Sequence, residues 1–227
     1  MKTPVIVINF KTYQQVVGKN GLHLAKICEN IAKENSVEII VVPQMVDLGV
    51  IAKSVSIPVF SQHVDAVEPG SKTGHTTPES VKGTGGTGTL INHSEMRMRI
   101  ADIDFTVEKC RQVGLETIVC TNNLNVSKAC ALVNPDFVAV EPPELIGGDT
   151  SVTAANPEIV RNTVNAVKKV NPNVKVLCGA GVKNGKDVAK ALELGAEGVL
   201  LASGVVKAKN PKEVLMDLVS GTRKFMK

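Results

Sequence analysis

Eight short runs of mostly β-branched residues punctuate the chain, at residues 5–9, 37–42, 58–62, 89–92, 117–121, 137–141, 174–179 and 198–202. Most are apolar almost end to end, without the alternation of a half-exposed sheet, which is the pattern of parallel strands covered on both faces. Between them the apolar residues switch to helical spacing, as in residues 22–34 with Leu24, Ile27, Cys28 and Ile31, and residues 157–170 with Ile159, Val160, Val164 and Val167. Asn156-Pro157 and Asn210-Pro211 each pair an N-cap residue with proline at the first helical position. Eight strands alternating with helices predict an α/β protein closed into a (β/α)₈ barrel, with an open doubly wound sheet as the architectural alternative. At 227 residues the chain fits one such barrel, so residues 1–227 are read as a single domain.

With 43% hydrophobic residues the chain can bury a large core without a metal or disulfide staple. Its five cysteines are odd in number and form no C-x-x-C pair, which argues against a disulfide framework and a zinc site. The 26 basic and 22 acidic residues are interspersed, and only 3% of residues are aromatic, so neither a basic stripe nor a stacking platform for nucleic acid is present. The opening MKTPVIVINFKTY has an apolar run too short for a signal peptide, and no apolar stretch reaches the length of a membrane span. A soluble, cytoplasmic protein without nucleic-acid or membrane partners is expected.

The chemistry of such a barrel sits where its strands end. The first exits through Asn9-Phe10-Lys11 and the fourth through Asn92-His93-Ser94-Glu95. The sixth ends at Glu141 and continues as Pro142-Pro143-Glu144-Leu145-Ile146-Gly147-Gly148. The last two leave through Cys178-Gly179-Ala180-Gly181 and Ala202-Ser203-Gly204. Each group alone has a bland reading: a solvated lysine, a structural histidine, an acid before a turn, glycines at tight bends. Together they supply one carboxylate base, one imidazole, one fixed cation and two glycine-containing exits whose backbone N–H groups suit a phosphate. That set fits removal of a proton beside a carbonyl in a small phosphorylated compound, with the cation and imidazole stabilising the enolate oxygen. No metal and no cofactor is expected. Residues 65–88 break the rhythm, being long and rich in Gly, Ser and Thr, and read equally as a lid or an interaction arm.

NFK at 9–11, NHSE at 92–95 and VEPPELIGG at 140–148 resemble, in order and spacing, three motifs of the triosephosphate isomerase family, and the likeness runs over the whole chain. It implies a (β/α)₈ TIM barrel that interconverts dihydroxyacetone phosphate and D-glyceraldehyde 3-phosphate through an enediolate, in glycolysis and gluconeogenesis. It implies that Glu141 is the base, His93 the electrophile, Lys11 and Asn9 the substrate-binding pair, and Glu95 the support of the Lys11 region. A carboxylate base facing a neutral histidine under a closing loop is this family's known pattern. By the same likeness Ile146, Gly181, Ala202 and Ser203 offer backbone N–H groups to the phosphate, and residues 142–148 form the lid. Gly70-Ser71-Lys72-Thr73-Gly74, followed by Thr77-Pro78, resembles the family's interface loop, so residues 65–88 are expected to protrude into a second copy in a homodimer or homotetramer.

Four departures accompany the likeness. The chain falls about 20 residues short of the barrel's usual length of roughly 250, which resembles the compact archaeal branch. Glu144 replaces the lid's usual aromatic residue, Gly181 stands where a serine usually meets the phosphate, and His75 and Met96 replace the two halves of an intersubunit charge pair. Rival readings fit less well. A Schiff-base aldolase would carry lysine where this chain has Glu141; a pyridoxal phosphate barrel could use Lys11 but leaves His93 and Glu141 idle. Another phosphate-barrel ketol isomerase, or a non-catalytic sugar-phosphate binding barrel, remains the alternative, although mere binding requires no base.

Overall fold

The computed structural model describes residues 2–142 and 157–226. Eight parallel strands, β1 (Val5–Asn9), β2 (Glu38–Val42), β3 (Phe60–Ser61), β4 (Gly88–Ile91), β5 (Glu116–Thr121), β6 (Phe137–Val140), β7 (Lys175–Cys178) and β8 (Gly198–Leu201), run in the order β2-β1-β8-β7-β6-β5-β4-β3. A single bridge between Val41 and Val59, with the Val41 N–H donating to the Pro58 carbonyl at 3.2 Å, joins the two ends of this series. The result is a (β/α)₈ barrel, not an open sheet. The third strand is shorter than the expected 58–62. Pro58 has no N–H to give a ladder, and Val59 makes only the isolated bridge.

The uninterrupted apolar runs have a direct explanation in two cores. Alternate strand residues such as Val5, Val7, Ile40, Leu90 and Leu177 fill the barrel interior, while their neighbours Ile6, Ile8, Ile39, Ile91 and Val176 pack outward against the helices. Both sets are fully buried, and each such side chain contributes about 1.5–3 kcal/mol by leaving water.

The described helices are α1 (Lys19–Asn35), α2 (Met45–Ser54), α3 (Pro78–Gly83), α4 (Ile100–Val113), α5 (Leu124–Leu132), α6 (Pro157–Val170), α7 (Gly185–Glu193), α8 (Ser203–Val206) and α9 (Pro211–Ser220). Short polar residues start several of them. Asn184 Oδ1 accepts from the Asp187 N–H at 3.1 Å, and Asn210 Oδ1 from the Glu213 N–H at 3.4 Å just before Pro211. Asn156, the other expected cap, lies outside the described residues. Helix α1 begins before the expected residue 22, just after Gly18, whose N–H donates to Asp47 Oδ2 at 2.9 Å.

Residues 65–88 carry structure of their own. The Asp65 N–H donates to the Thr76 carbonyl at 2.8 Å and the Thr76 N–H returns a bond to Asp65 Oδ2 at 2.7 Å, pinching the base of a projecting turn. Thr77 then caps α3, which anchors through the buried Val81, and Gly88 already belongs to β4. The exposed arm is confined to residues 68–75, tied to α4 by an ion pair of Glu68 with Lys109 at 2.6 Å. Among the described residues no helix is long and apolar enough to cross a membrane.

Candidate active site

Strand β1 ends at Asn9, whose buried Oδ1 accepts from the Lys11 N–H at 2.9 Å. This bond folds the exit back on itself and leaves Lys11 at φ +47°, a left-handed conformation that costs a non-glycine residue about 1–2 kcal/mol. Gln62, just past β3, opposes that cost by donating Nε2 to the Lys11 carbonyl at 2.8 Å. The bend delivers Lys11 Nζ to Glu95 Oε1 at 2.8 Å, a direct ion pair.

Strand β4 turns just as sharply. Asn92 sits at φ +59°, with its Nδ2 donating to the Cys120 carbonyl and its Oδ1 accepting from the Met98 N–H, both at 2.9 Å. From this turn His93 points into the rim. The Glu95 N–H donates to His93 Nδ1 at 3.2 Å, which makes Nδ1 an acceptor and leaves the ring proton on Nε2. Burial pushes the imidazole pKa down to about 4, helped by the positive charges of Lys11 and Arg97 and opposed by Glu95. The ring is neutral at pH 7.

Across the rim, Glu141 follows β6 and is only 2% exposed. Its backbone N–H donates to the Thr121 carbonyl at 2.7 Å. Its Oε1 stands 3.8 Å from His93 Nε2, and its Oε2 has no hydrogen-bond partner among the described residues. Burial pushes its pKa up to about 8, against the opposing pull of Lys11 and Arg97. Gly179 makes this seat possible, since a Cβ on it would lie 2.5 Å from Glu141 Cγ.

Lys11, His93 and Glu141 line a cavity of about 370 Å³ together with Gly181, Ala202, Ser203 and Gly204. Gly181 sits at φ +67°, and Ser203 opens the short α8, where the Val205 and Val206 N–H groups donate to the Ala202 carbonyl at 3.1 and 3.0 Å and those of Ser203 and Gly204 have no intrahelical acceptor. Positive partial charge at that end suits an anion. The cavity therefore brings a carboxyl, an imidazole and an ammonium together with the exits of β7 and β8. Asn9, expected to bind substrate, is buried, does not line the cavity and bonds instead to the Lys11 N–H. Ile146 and the rest of the expected lid beyond Pro142 lie outside the described residues. Among the described residues no three His, Cys, Asp or Glu side chains converge as metal ligands.

Three participants escaped the sequence reading. Gln62 donates to the Lys11 carbonyl of another exit and Arg97 to the Asn92 carbonyl of its own, both at 2.8 Å. Tyr13 lines the cavity with its ring 4.4 Å from Lys207 Nζ. Gln62 and Tyr13 meet partners from other loops, so no local spacing announced them, whereas Arg97 lies in the same exit as Asn92.

Comparison with known proteins agrees with this geometry. A family model described as triosephosphate isomerase matches residues 4–221. The chain is 58% identical to the triosephosphate isomerase of Methanocaldococcus jannaschii over 215 residues, covering 95% of this chain and 98% of that one. It is 53% identical to the triosephosphate isomerase of Methanothermus fervidus over 220 residues, covering 97% and 99%. The likeness to the one from Archaeoglobus fulgidus is also 53%, over 218 residues, covering 96% and 98%.

Proposed function

The chain belongs to the triosephosphate isomerase family, and from that premise we propose that Glu141, His93 and Lys11 carry its interconversion of dihydroxyacetone phosphate and D-glyceraldehyde 3-phosphate. The observation that supports this division of labour most directly is the 3.8 Å approach of His93 Nε2 to Glu141 Oε1 at a cavity that Lys11 also lines. A carbonyl and its neighbouring carbon bound there meet a carboxylate on one side and an N–H donor on the other.

The ionised Glu141 carboxylate takes the proton from the carbon beside the carbonyl. The C–H electron pair becomes a C=C bond, and the carbonyl oxygen takes up the negative charge of an enediolate. His93 donates from Nε2 to that oxygen while the Lys11 ammonium offsets its charge. A neutral imidazole suits the task, because an imidazolium is a much stronger acid than the enediol oxygen and would simply lose its proton to it. His93 takes the proton of the neighbouring hydroxyl in place of the one it gave, so that oxygen becomes the new carbonyl as Glu141 returns its proton to the former carbonyl carbon. No atom is lost and the oxidation state of the whole molecule is unchanged, so the reaction calls for no redox cofactor. Gly181, Ala202 and Ser203 take the phosphate through backbone N–H groups, joined by Ile146 when residues 142–148 close as the lid.

Assay of the purified protein with glyceraldehyde 3-phosphate tests this reading through Glu141. Glu141→Asp withdraws the carboxylate by one methylene, and since a displacement of about 1 Å can cost roughly 100-fold in rate, kcat falls by about 10²–10³ with little change in substrate binding. Glu141→Gln removes the base altogether and loses at least as much. A well-folded Glu141→Gln enzyme with the parent kcat would overturn the assignment.

The assembly we infer is a homodimer at least, formed around the arm 68–75. Of the exposed large apolar side chains among the described residues, Val17, Val46, Val50, Met96 and Ile100 lie on consecutive segments after β1, β2 and β4, the arm itself follows β3, and Leu132 alone stands apart at the end of α5. These four strands are neighbours in the ring, so the residues occupy one arc of the rim, where a second copy would cover them. Five buried, unbridged cysteines suit a reducing compartment, and the cytoplasm is the proposed location.

A further inference from the structure

The catalytic turn at β4 is held in place by a side chain to which nothing above assigns a role in the reaction. Arg97 donates Nη1 to the carbonyl of Asn92 at 2.8 Å, and the same nitrogen lies 3.5 Å from the carbonyl of Cys120 on β5. Asn92 is the residue immediately before His93, and it stands at φ +59° with both side-chain polar atoms already engaged. Its own carbonyl is thus the remaining handle on the turn. We propose that Arg97 is a positioning residue for the isomerisation: its guanidinium fixes the Asn92 carbonyl, and through it the peptide from which the His93 ring projects toward the substrate oxygen.

The inference rests on the assignment of His93 as the electrophile and adds a residue that never touches substrate. The mechanical reason is leverage. A left-handed asparagine is metastable, and loss of the grip on its carbonyl frees the peptide to relax toward an ordinary conformation. That relaxation swings the imidazole. The guanidinium brings a second effect, because its charge acts on both reacting groups, favouring the uncharged His93 ring and the ionised Glu141 carboxylate. The charged groups facing His93 are then Lys11 from the β1 exit, Glu95 and Arg97 from its own exit, and Glu141 from the β6 exit. Arg97 differs from Lys11 in reaching the site through the backbone instead of the cavity. Lysine is a poor substitute, since it is a point charge on a flexible stem without the rigid, planar N–H geometry that Arg97 brings to the Asn92 carbonyl.

Three variants of the full chain test this: Arg97→Gln, Arg97→Lys and His93→Gln, with kcat and KM measured for glyceraldehyde 3-phosphate and the folded fraction checked by circular dichroism. Arg97→Gln is expected to lower kcat by about 10- to 100-fold with KM changed by less than about threefold, the signature of a misaimed group rather than a lost binding contact. Arg97→Lys is expected to fall between, about three- to tenfold below the parent. In a His93→Gln background the Arg97→Gln change should add less than about threefold, because the lever then has nothing to aim. Parent kcat per folded molecule in Arg97→Gln, fully multiplicative losses in the double variant, or a raised KM with unchanged kcat would each overturn the proposal. Should Arg97→Gln fail to fold, Arg97→Lys decides alone, and a parent-like kcat there overturns it. Parent-like activity in His93→Gln is a different failure, one that removes the site assignment itself.

Discussion

Glu141 and His93 share one buried rim, and burial moves their pKa values in opposite directions because it disfavours whichever form is charged. The imidazole is pushed down to about 4 and the carboxyl up to about 8. The neutral ring is therefore ready for its proposed role, whereas the carboxyl of the unliganded enzyme must lose a proton to become a base. Under that assignment kcat/KM, which follows the free enzyme, rises with pH until about 8 and levels off above it, and His93 contributes nothing to the profile above pH 5. Rates measured from pH 5 to 10 check this, and a plateau unbroken down to pH 5 would contradict it. The same group leaves a mark on stability. A carboxyl whose folded pKa lies above its unfolded value contributes stability that is complete below about 4.5 and lost as pH rises through about 8. Glu141→Gln removes the ionisable group, so its Tm should match the parent at pH 4 and exceed it at pH 9. The difference has an upper bound on the order of 3–5 kcal/mol. A Tm below the parent at pH 9 would speak against burial as the cause. At this scale Gly179 matters as well, since only the missing side chain lets Glu141 lie so close to the β7 exit.

Among the elements, the helices after β1, β4 and β8 begin without a side-chain cap, whereas the one after β7 has such a cap, and it is consequential. Asn184 Oδ1 holds the Asp187 N–H at 3.1 Å, and Asp187 Oδ2 in turn accepts from the Lys183 N–H at 2.9 Å. The segment so fixed runs directly from Gly181, on the proposed phosphate side of the cavity. Asn184→Ala is expected to cost about 1 kcal/mol of stability and to raise KM more than it lowers kcat, because the disturbed loop binds the anion and does not meet the reacting carbons. Thermal melts and steady-state kinetics on one preparation check both, and an unchanged KM would separate the cap from phosphate binding. The strands are less tolerant. On β8 a Cβ at Gly198 would fall 2.2 Å from the Val5 carbonyl, so this seam of the barrel admits no larger residue without moving β1.

For the molecule as a whole, the arc of exposed apolar residues and the projecting arm make one testable statement about assembly. Val46 and Val50 are 83% and 61% exposed on α2, an arrangement that marks an interaction face when it is joined to further apolar neighbours. A closed two-fold contact would bring the same arc from both copies together. Val46→Asp combined with Val50→Asp buries two charges at such a face, and the mass by light scattering at micromolar protein is expected to drop to that of the 24.0 kDa chain. The parent should show at least twice that mass. A monomeric, fully active parent would refute the arm's proposed role.

What the sequence alone determined was whatever repeats locally. The barrel was legible because every strand is buried on both faces, so the apolar runs at Val5–Asn9 and Phe137–Val140 continue without alternation. Asn9, Lys11, His93, Glu95 and Glu141 were legible for a related reason, as each lies at or within a few residues of a strand end and inherits its place from it. Only the tertiary structure decided the rest. The length of β3 depended on how Val59 meets Val41 across the closing seam. Gln62 meets the Lys11 carbonyl because ring closure brings separate exits within hydrogen-bond reach of one another, and Arg97 meets the Asn92 carbonyl because the left-handed turn at Asn92 folds its exit back on itself. The opposite pKa movements of His93 and Glu141 follow from desolvation, a property of the packed surroundings that no short window of residues contains. Periodicity is written along the chain, but the approach of one loop to another depends on strand register and barrel closure, which exist only once all eight strands are in place.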